Sequence, residues 1–351
     1  MKNTIAIMLL GILCLLTACE QKKSQEPATM PPIKNTEETV GISATEPKME
    51  QGIGSIGHGP YEYKTDEEGA YIPYEGGEIS VPYEIRAQGS SFEKPVGILL
   101  FLGGQPQPYH TAEDPVDKYL HYFSVEDSIA YRINLFFTPI CGQAGDILDF
   151  YGININDPEY NNRESNSGFK HTFGSVVSGL SIRFTETPPK TDPQPIATIE
   201  SYSIAEESVE VSDLPMDWTD ESWDNGLDVQ WNLDGDPVHT DFWNYSAESD
   251  GHLHGEFMGT SMTDYGVAVF VDNQPVSFDG SHYLPIKLHR GQKQVLDIKL
   301  ELDNFSGEQV VYAVFVPRTA RTSAASTMAM PFVSPTFYLM EGENPNSKVS
   351  D

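Results

Sequence analysis

Two stretches of sequence decide the fold: VGILLFLGGQP at 96–106 and YGVAVFVDNQP at 265–275. Each is an apolar run of strand length, followed by two turn-forming residues and then by Gln-Pro. Gly-Gly and Asp-Asn both suit a two-residue hairpin, because their backbones accept positive φ. The two stretches lie 169 residues apart, and the sequence therefore predicts an internal repeat built around a β-hairpin.

Further matches follow in the same order along the chain. INLFF at 133–137 resembles IKLEL at 298–302, at an offset of 165 residues. A weaker match relates GLSIRF at 179–184 to SPTFYL at 334–339. Several matches in one order at nearly constant offset indicate two copies of one domain.

The pattern between these matches favours strands over helices. Residues 78–86 alternate polar and apolar side chains, which is the period of a half-buried strand. Many short strands separated by turn residues favour sandwiches, since parallel crossovers would need helices. We therefore predict an all-β fold of two tandem, internally repeated β-sandwiches at 60–187 and 196–341, joined by a Pro-rich linker at 188–195. Their architecture is immunoglobulin-like, although the Cys and Trp framework of that fold is missing.

The amino terminus carries an export signal. Lys2 precedes an apolar run from Ile5 to Leu16, which spans roughly 18 Å as a helix and falls short of the ~30 Å core of a bilayer. That length fits a cleaved signal peptide better than a membrane-spanning helix.

The run ends in Leu-Thr-Ala-Cys at 16–19, which resembles the lipobox of bacterial lipoproteins. The resemblance implies a signal peptide at 1–18 and cleavage before Cys19, whose sulfur then carries a diacylglycerol with fatty acyl chains such as palmitate. Two acyl chains give a stable anchor. The resemblance thus implies a lipoprotein on the extracytoplasmic face of a bacterial cell membrane.

The charge of the chain restricts its partners. Acidic residues outnumber basic ones 52 to 21, for a formal net charge of −31. Nucleic-acid binding is excluded as the main role, because phosphate contacts need clustered Lys and Arg.

The polar composition of residues 19–59 predicts a lipidated, flexible tether with a reach of about 35 Å. Residues 342–351 are predicted to form a disordered tail. Cys14 would leave with the signal peptide and Cys19 would carry the lipid, so Cys141 would have no cysteine partner for a disulfide. Cys141 is therefore expected to be a small buried hydrophobe.

All four tryptophans lie within one segment of the second repeat, at Trp218, Trp223, Trp231 and Trp243. Seven acidic residues between 217 and 236 are interleaved with them. Exposed indoles beside carboxylates suit sugar rings, since the ring face covers C–H bonds while the acids accept hydroxyl hydrogens. The alternative is that the indoles fill the core of the second sandwich.

Two metal sites are weaker hypotheses. Asn232, Asp234 and Asp236 supply oxygen at alternate positions, as calcium requires, but an acidic turn without a metal is the favoured explanation. His252 and His254 lie on one side of a possible strand with a spacing found in zinc sites, and His239, His282 and His289 also belong to this half. Calcium is thus a possible cofactor, and otherwise no cofactor is expected.

The function expected from these observations is non-catalytic. No Gly-x-Ser-x-Gly elbow, His-Glu-x-x-His helix or phosphate-binding glycine loop occurs in the sequence. We expect a membrane-anchored module that binds or scaffolds an extracellular glycan or protein partner. The alternative is a secreted hydrolase acting on glycans through carboxylates near residues 217–236.

Overall fold

The computed structural model describes residues 55–88, 95–156, 172–190, 198–209, 214, 218–233, 236–237, 244–248, 251–259, 261–301, 308–320, 330–334 and 336–340. The predicted signal peptide, most of the predicted tether and linker, and the predicted carboxyl-terminal tail therefore lie outside the described residues. Residues 49–351 form one compact unit. In the described part of the chain, no helix is long and apolar enough to cross a membrane.

The first sandwich consists of two sheets that face each other. Its strands are β1 Ser55–Pro60, β2 Lys64–Asp66, β3 Gly69–Tyr74, β4 Ile79–Gln88, β5 Val96–Leu102, β6 Gln105–Gln107, β7 His110–Thr111, β8 Leu120–Phe123, β9 Ala130–Phe137, β10 Ile147–Asn156 and β11 Thr172–Phe184. One sheet has the order β1-β4-β9-β7. The other has the order β2-β3-β11-β10-β5-β6, with β8 also paired to β5.

The second sandwich repeats this plan. Its elements are β12 Ile199–Ser208, α1 Ser222–Asn225, β13 Leu227–Leu233, β14 Asp236–Pro237, β15 Asn244–Glu248, β16 His252–Gly259, β17 Thr263–Val271, β18 Gln274–Pro275, β19 Leu284–Lys287, β20 Gln292–Leu300, β21 Glu308–Ala320, β22 Phe332–Val333 and β23 Thr336–Met340. Its sheets have the orders β12-β20-β16-β13-β14 and β15-β23-β21-β17-β18, while β19 pairs with β17 and β22 with β21.

Nine strands of each sandwich occupy equivalent places. The equivalent pairs are β1 with β13, β3 with β15, β4 with β16, β5 with β17, β6 with β18, β8 with β19, β9 with β20, β10 with β21 and β11 with β23. Even the exceptional parallel pair of the first sandwich, β3 with β11, has its counterpart in β15 with β23. The predicted tandem of internally repeated β-sandwiches is confirmed, and the three sequence matches fall on equivalent strands.

The amino-terminal boundary of the first sandwich differs from the predicted one. The tether was predicted to continue to residue 59, but β1 begins at Ser55 and is paired with β4 along its whole length. Gly57 and Gly59 made this segment resemble a polar coil in the sequence. The backbone hydrogen bonds to β4 overcome the low strand propensity of glycine.

A separate hydrophobic core fills each sandwich. The first core includes Val81, Tyr83, Leu100 and Phe150, which are almost fully buried. The second includes Trp231, Phe257, Val269, Leu296 and Phe315.

A third apolar cluster joins the two sandwiches. It is formed by the opposite faces of the same central strands, including Leu99 and Phe101 on β5, Tyr151 on β10, Phe270 on β17 and Tyr312 on β21. Strands β5 and β17 are therefore covered on both faces, which explains their continuous apolar sequences.

The contacts in this interface have the pattern of a two-fold axis. Phe101 and Phe270 are equivalent in the repeat, and their rings meet edge to face with centroids 6.2 Å apart. Only residues on a two-fold axis contact their own equivalents in an isologous interface. The interface thus resembles that of a symmetric homodimer within one chain.

A second pair of equivalent residues supports the same axis. Ile98 pairs with His121 in β8, and its equivalent Val267 pairs with Leu284 in β19. Counting back two residues from each partner makes Tyr119 and His282 equivalent. The hydroxyl of Tyr119 is hydrogen-bonded to Nδ1 of His282 at 2.6 Å, inside the interface.

Truncation of Phe270 should show how much of the stability resides in the interface. We expect Phe270→Ala to reduce the free energy of unfolding of the body by about 3–5 kcal/mol, because a fully buried ring is lost. Chemical denaturation of residues 49–351 measures this. The control is Ile147→Ala, whose side chain is 54% exposed and should change stability by about 0.5 kcal/mol or less. Equal effects of the two substitutions would contradict the interface.

Burial of His282 should make stability depend on pH. Burial lowers the pKa of His282 below its usual 6.5. As the pH falls below about 6.5, the unfolded chain binds a proton that the folded chain does not, so stability decreases until the folded pKa is reached. Denaturation between pH 7.5 and 5 should therefore give a shallower slope for His282→Asn than for the unmodified protein. Parallel slopes would contradict this contribution.

Candidate functional site

A cleft of about 650 Å³ lies where the first sandwich meets the second. It opens between the β6–β8 loop, the end of β8 and the turn that joins β17 to β18. Its lining is Thr111, Glu113, Asp114, Lys118, Leu120, His121, Tyr122, Phe123, Ser124, Tyr131, Asn273 and Gln274. Both sandwiches therefore contribute to one concave surface.

The second sandwich contributes a tight turn. Asp272 and Asn273 have φ of 48° and 64°, as the two central residues of a type I′ hairpin require. Asn273 is only 7% exposed, and its side-chain oxygen accepts a hydrogen bond from Tyr312 Oη at 3.1 Å. The carboxylate of Asp272 accepts a hydrogen bond from the amide of Val310 at 2.9 Å. These bonds hold the turn against the interface and fix the position of Asn273 in the cleft.

The wall from the first sandwich is polar and hydrogen-bonded. His121 is buried, and its Nε2 donates a hydrogen bond to the carbonyl oxygen of Tyr109 at 2.6 Å. Burial lowers the pKa of His121. Asp114 lies 2.6 Å from the ammonium of Lys118 and 3.4 Å from Nδ1 of His121, and the hydrogen bond from Lys118 lowers the pKa of Asp114. The ion pair stabilises the loop at the rim of the cleft.

Two tyrosines supply the aromatic surface of the cleft. Tyr122 is 45% exposed, and Tyr131 packs against Phe123 with ring centroids 6.0 Å apart. The hydroxyl of Tyr131 is 3.5 Å from a carboxylate oxygen of Glu113. Burial, and then the charge of Glu113, raise the pKa of Tyr131. Aromatic faces beside carboxylate and amide groups suit a bound ligand with both apolar and hydrogen-bonding parts.

The structure does not support the tryptophan segment as a ligand platform. Trp231 is 4% exposed and lies in the core of the second sandwich, where its ring meets Phe257 at a centroid distance of 5.4 Å. Its selection as a ligand-binding residue was wrong, since a sugar cannot reach a buried ring. Trp223 is also buried and packs edge to face against the half-buried Trp218. Trp243 lies outside the described residues.

The described carboxylates of the same segment serve structural contacts. Asp220 and Asp224 lie 2.7 Å and 3.5 Å from the guanidinium of Arg290. Asp224 also accepts a hydrogen bond from the hydroxyl of Ser261 at 2.7 Å. These contacts attach α1 to the rest of the second sandwich.

The proposed calcium ligands occupy a β-hairpin. Asn232 is paired with Pro237 and Leu233 with Asp236 in the antiparallel pair of β13 and β14. The sequence between the two strands is Asp-Gly, a pair that is common in β-hairpins whether or not a metal is bound. Asp234 itself lies outside the described residues.

The two neighbouring histidines take part in a charged network on the outer face of the sheet. Nδ1 of His254 is 2.7 Å from Asp297 and its Nε2 is 3.4 Å from Glu256, while His252 lies 3.6 Å from Asp297. Burial tends to lower the pKa of His254, but the bonds to Asp297 and Glu256 outweigh it and raise the pKa. Within the described ranges, no three His, Cys, Asp or Glu side chains are arranged to hold a metal ion.

Cys141 is half-buried beside the first core, with its sulfur 3.4 Å from the carbonyl oxygen of Leu102. Burial raises the pKa of this thiol to about 12. A thiol with so high a pKa is a poor nucleophile at neutral pH. Its place in the structure agrees with the small buried hydrophobe expected from the sequence.

Sequence reasoning missed the cleft, although the repeat contains a signal for it. Twelve residues separate β6 from β8, whereas eight separate β18 from β19. The longer loop of the first copy carries β7 and much of the cleft lining. A difference in loop length between two copies of a domain marks the place where their surfaces differ.

Replacement of Trp231 should separate a core role from a binding role. We expect Trp231→Ala to reduce the free energy of unfolding by about 3–5 kcal/mol, because it leaves a cavity in the second core. Denaturation followed by circular dichroism measures the change. A variant of unchanged stability would restore the exposed-platform interpretation.

Comparisons with known proteins identify no family for this chain. No protein-family model and no curated protein matches it. Solved structures with some likeness include a protein of unknown function from Porphyromonas gingivalis, at 7% identity and a TM-score of 0.21, covering 82% of this chain and 99% of that one. They also include the C-terminal domain of the Streptococcus agalactiae AgI/II polypeptide BspA, at 9% identity and a TM-score of 0.19, covering 82% and 100%. The Ig1-2 module of Drosophila receptor protein tyrosine phosphatase DLAR is similar at 12% identity and a TM-score of 0.18, covering 82% and 98%. At these TM-scores the likeness carries no argument, and the fold assignment rests on the strands of this chain.

Proposed function

We propose that the chain is a lipid-anchored, extracytoplasmic binding module that captures an extracellular glycan or protein partner without catalysis. The observation that carries the proposal is the cleft built jointly by the two sandwiches. Its lining combines exposed aromatic surface at Tyr122, hydrogen-bonding groups at Asn273 and an acidic rim at Glu113. Concave sites at domain interfaces are common places for ligands.

The lipobox-like sequence at 16–19 supports the cellular location. Two acyl chains on Cys19 would attach the module to the membrane, and the following polar residues would hold the body away from the lipid surface. The net charge of −31 adds repulsion from anionic lipid and favours neutral or basic partners.

The anchor can be tested in bacterial cells fed a palmitate analogue that can be labelled. We expect the unmodified chain to incorporate the label and to sediment with membranes. Cys19→Ala should lose both properties, because the sulfur that carries the lipid is missing. Cys14→Ala is the matched control and should retain them. Labelling of the Cys19 variant would contradict a lipoprotein anchor.

Ligand binding can be tested by thermal melting of residues 49–351 against wall fragments, oligosaccharides and strand-forming peptides. A ligand present at 100 times its Kd adds about 2.7 kcal/mol to stability, which raises the Tm by several degrees. We expect at least one class to raise the Tm of the unmodified body but not that of Tyr122→Ala with Glu113→Arg. Ile147→Ala serves as the control variant. A panel that shifts nothing would contradict a binding module of this kind.

A further inference from the structure

The two copies of the domain differ at one sheet edge. In the second sandwich, β12 pairs with β20 along its length, from Ile199 with Leu300 to Ser208 with Gln292. In the first sandwich, the equivalent neighbour of β9 is β7, which pairs only with Leu135 and Phe136. No other strand in the described part of the chain pairs with residues 130–134 on this side of β9.

The burial of equivalent residues shows what the missing strand leaves uncovered. Val295, Leu296 and Ile298 on β20, the strand that β12 flanks, are almost fully buried, with exposures of 6%, 0% and 0%. At an offset of 165, their equivalents on β9 are Ala130, Tyr131 and Ile133, and all three are half-exposed. Ile129, just before β9, is 54% exposed. The first sandwich therefore leaves apolar side chains exposed at the edge of β9, whereas the second sandwich covers the equivalent edge of β20 with β12.

The cleft lies beside this open edge, because Tyr131 belongs to both. In the second sandwich, β12 directs Tyr202 inward, where its ring packs edge to face on Phe278 at 5.3 Å and its hydroxyl donates a hydrogen bond to Asp279. A strand on β9 would bring its inward side chains to the cleft in the same way. The cleft thus lies where a strand-addition site would have a pocket for the side chains of the added strand.

We propose that an extended segment of a partner protein, carrying basic side chains, binds antiparallel along residues 130–134 of β9 and places alternate side chains in the cleft. This inference rests on the proposed function and specifies its partner. Main-chain hydrogen bonds to the free edge would supply affinity, and the pocket would supply selectivity. Basic side chains match Glu113 at the rim and the overall charge of −31.

The outer edge of β12 is a poorer site for the same partner. Its side chains are mostly exposed and include Glu200, Glu206 and Glu207. Exposed charges on an edge strand discourage pairing with further strands. Residues 130–134 of β9 carry one exposed charge, Arg132, which is paired with Glu84 at 2.8 Å, whereas β12 carries three exposed glutamates.

The test uses the full chain in detergent and labelled ten-residue peptides. The probe has the β12 sequence of residues 199–208 with lysine in place of its three glutamates. Two further peptides carry N-methyl groups on alternate residues, one set on each strand edge. We expect the probe to bind, one N-methylated peptide to bind equally well, and the other to bind at least about tenfold more weakly. Only one edge faces β9, and each lost hydrogen bond costs about 0.5–1.5 kcal/mol.

A charge variant locates the site. Glu113→Arg should weaken binding of the lysine peptide about fivefold by replacing attraction with repulsion. Glu67→Arg, in the turn between β2 and β3, is the matched control and should leave binding unchanged. Equal weakening by both substitutions would place the peptide elsewhere and overturn the proposal.

The remaining outcomes separate this inference from the proposed function. Equal loss of binding with both N-methylated peptides would show attachment through side chains alone and would overturn strand addition. If oligosaccharides raise the Tm of the body while the peptides do not bind, the chain is a glycan-binding module and the strand proposal fails. If neither class binds, both proposals fail.

Discussion

The packing of Phe101 against Phe270 is the contact on which the arrangement of the molecule depends. Each ring lies on a central strand whose opposite face already fills the core of its own sandwich. Strands β5 and β17 must therefore be apolar on both faces, and neither sandwich can expose this face to water without a large cost. The interface between the sandwiches is accordingly as apolar as their cores and differs from a contact between two polar, solvent-exposed surfaces.

This interface also positions the cleft. Tyr312 lies in the interface and donates a hydrogen bond to Asn273, so the turn of the second sandwich is fixed to β21 where it lines the cleft with β8 of the first. A ligand that enters the cleft would not have to bring two mobile domains together. Sites that are formed before binding lose less conformational entropy than sites that close around the ligand. The apolar interface thus supports the polar site through one shared tyrosine.

The sequence predicted the repeat well, because its signals are local. A continuous apolar strand followed by a two-residue turn can be recognised in the sequence without knowing which strands lie beside it. The matches at 96–106 and 265–275 fall on equivalent hairpins. The sequence left the tryptophans open between a ligand surface and the core for the opposite reason. Whether Trp231 faces water depends on β16 and β21, whose residues Phe257 and Phe315 lie far along the chain. Periodicity cannot determine such contacts when two sheets cover each other. The cleft was missed similarly, since it requires the pairing of β8 with β5 and the approach of the second sandwich.

Internal symmetry explains why a binding surface should lie where the two copies differ. If the two sandwiches were identical and packed about a two-fold axis, the equivalent sheet edge would either be covered by a strand in both or be uncovered in both. Here β12 covers the edge of β20, while the longer β6–β8 loop supplies only the short β7 to the edge of β9. The lost pairing leaves Tyr131 and Ile133 half-exposed, which is a cost to the stability of the isolated protein. A strand from a partner would bury them and satisfy the open backbone groups, so the departure from symmetry is what would make binding favourable.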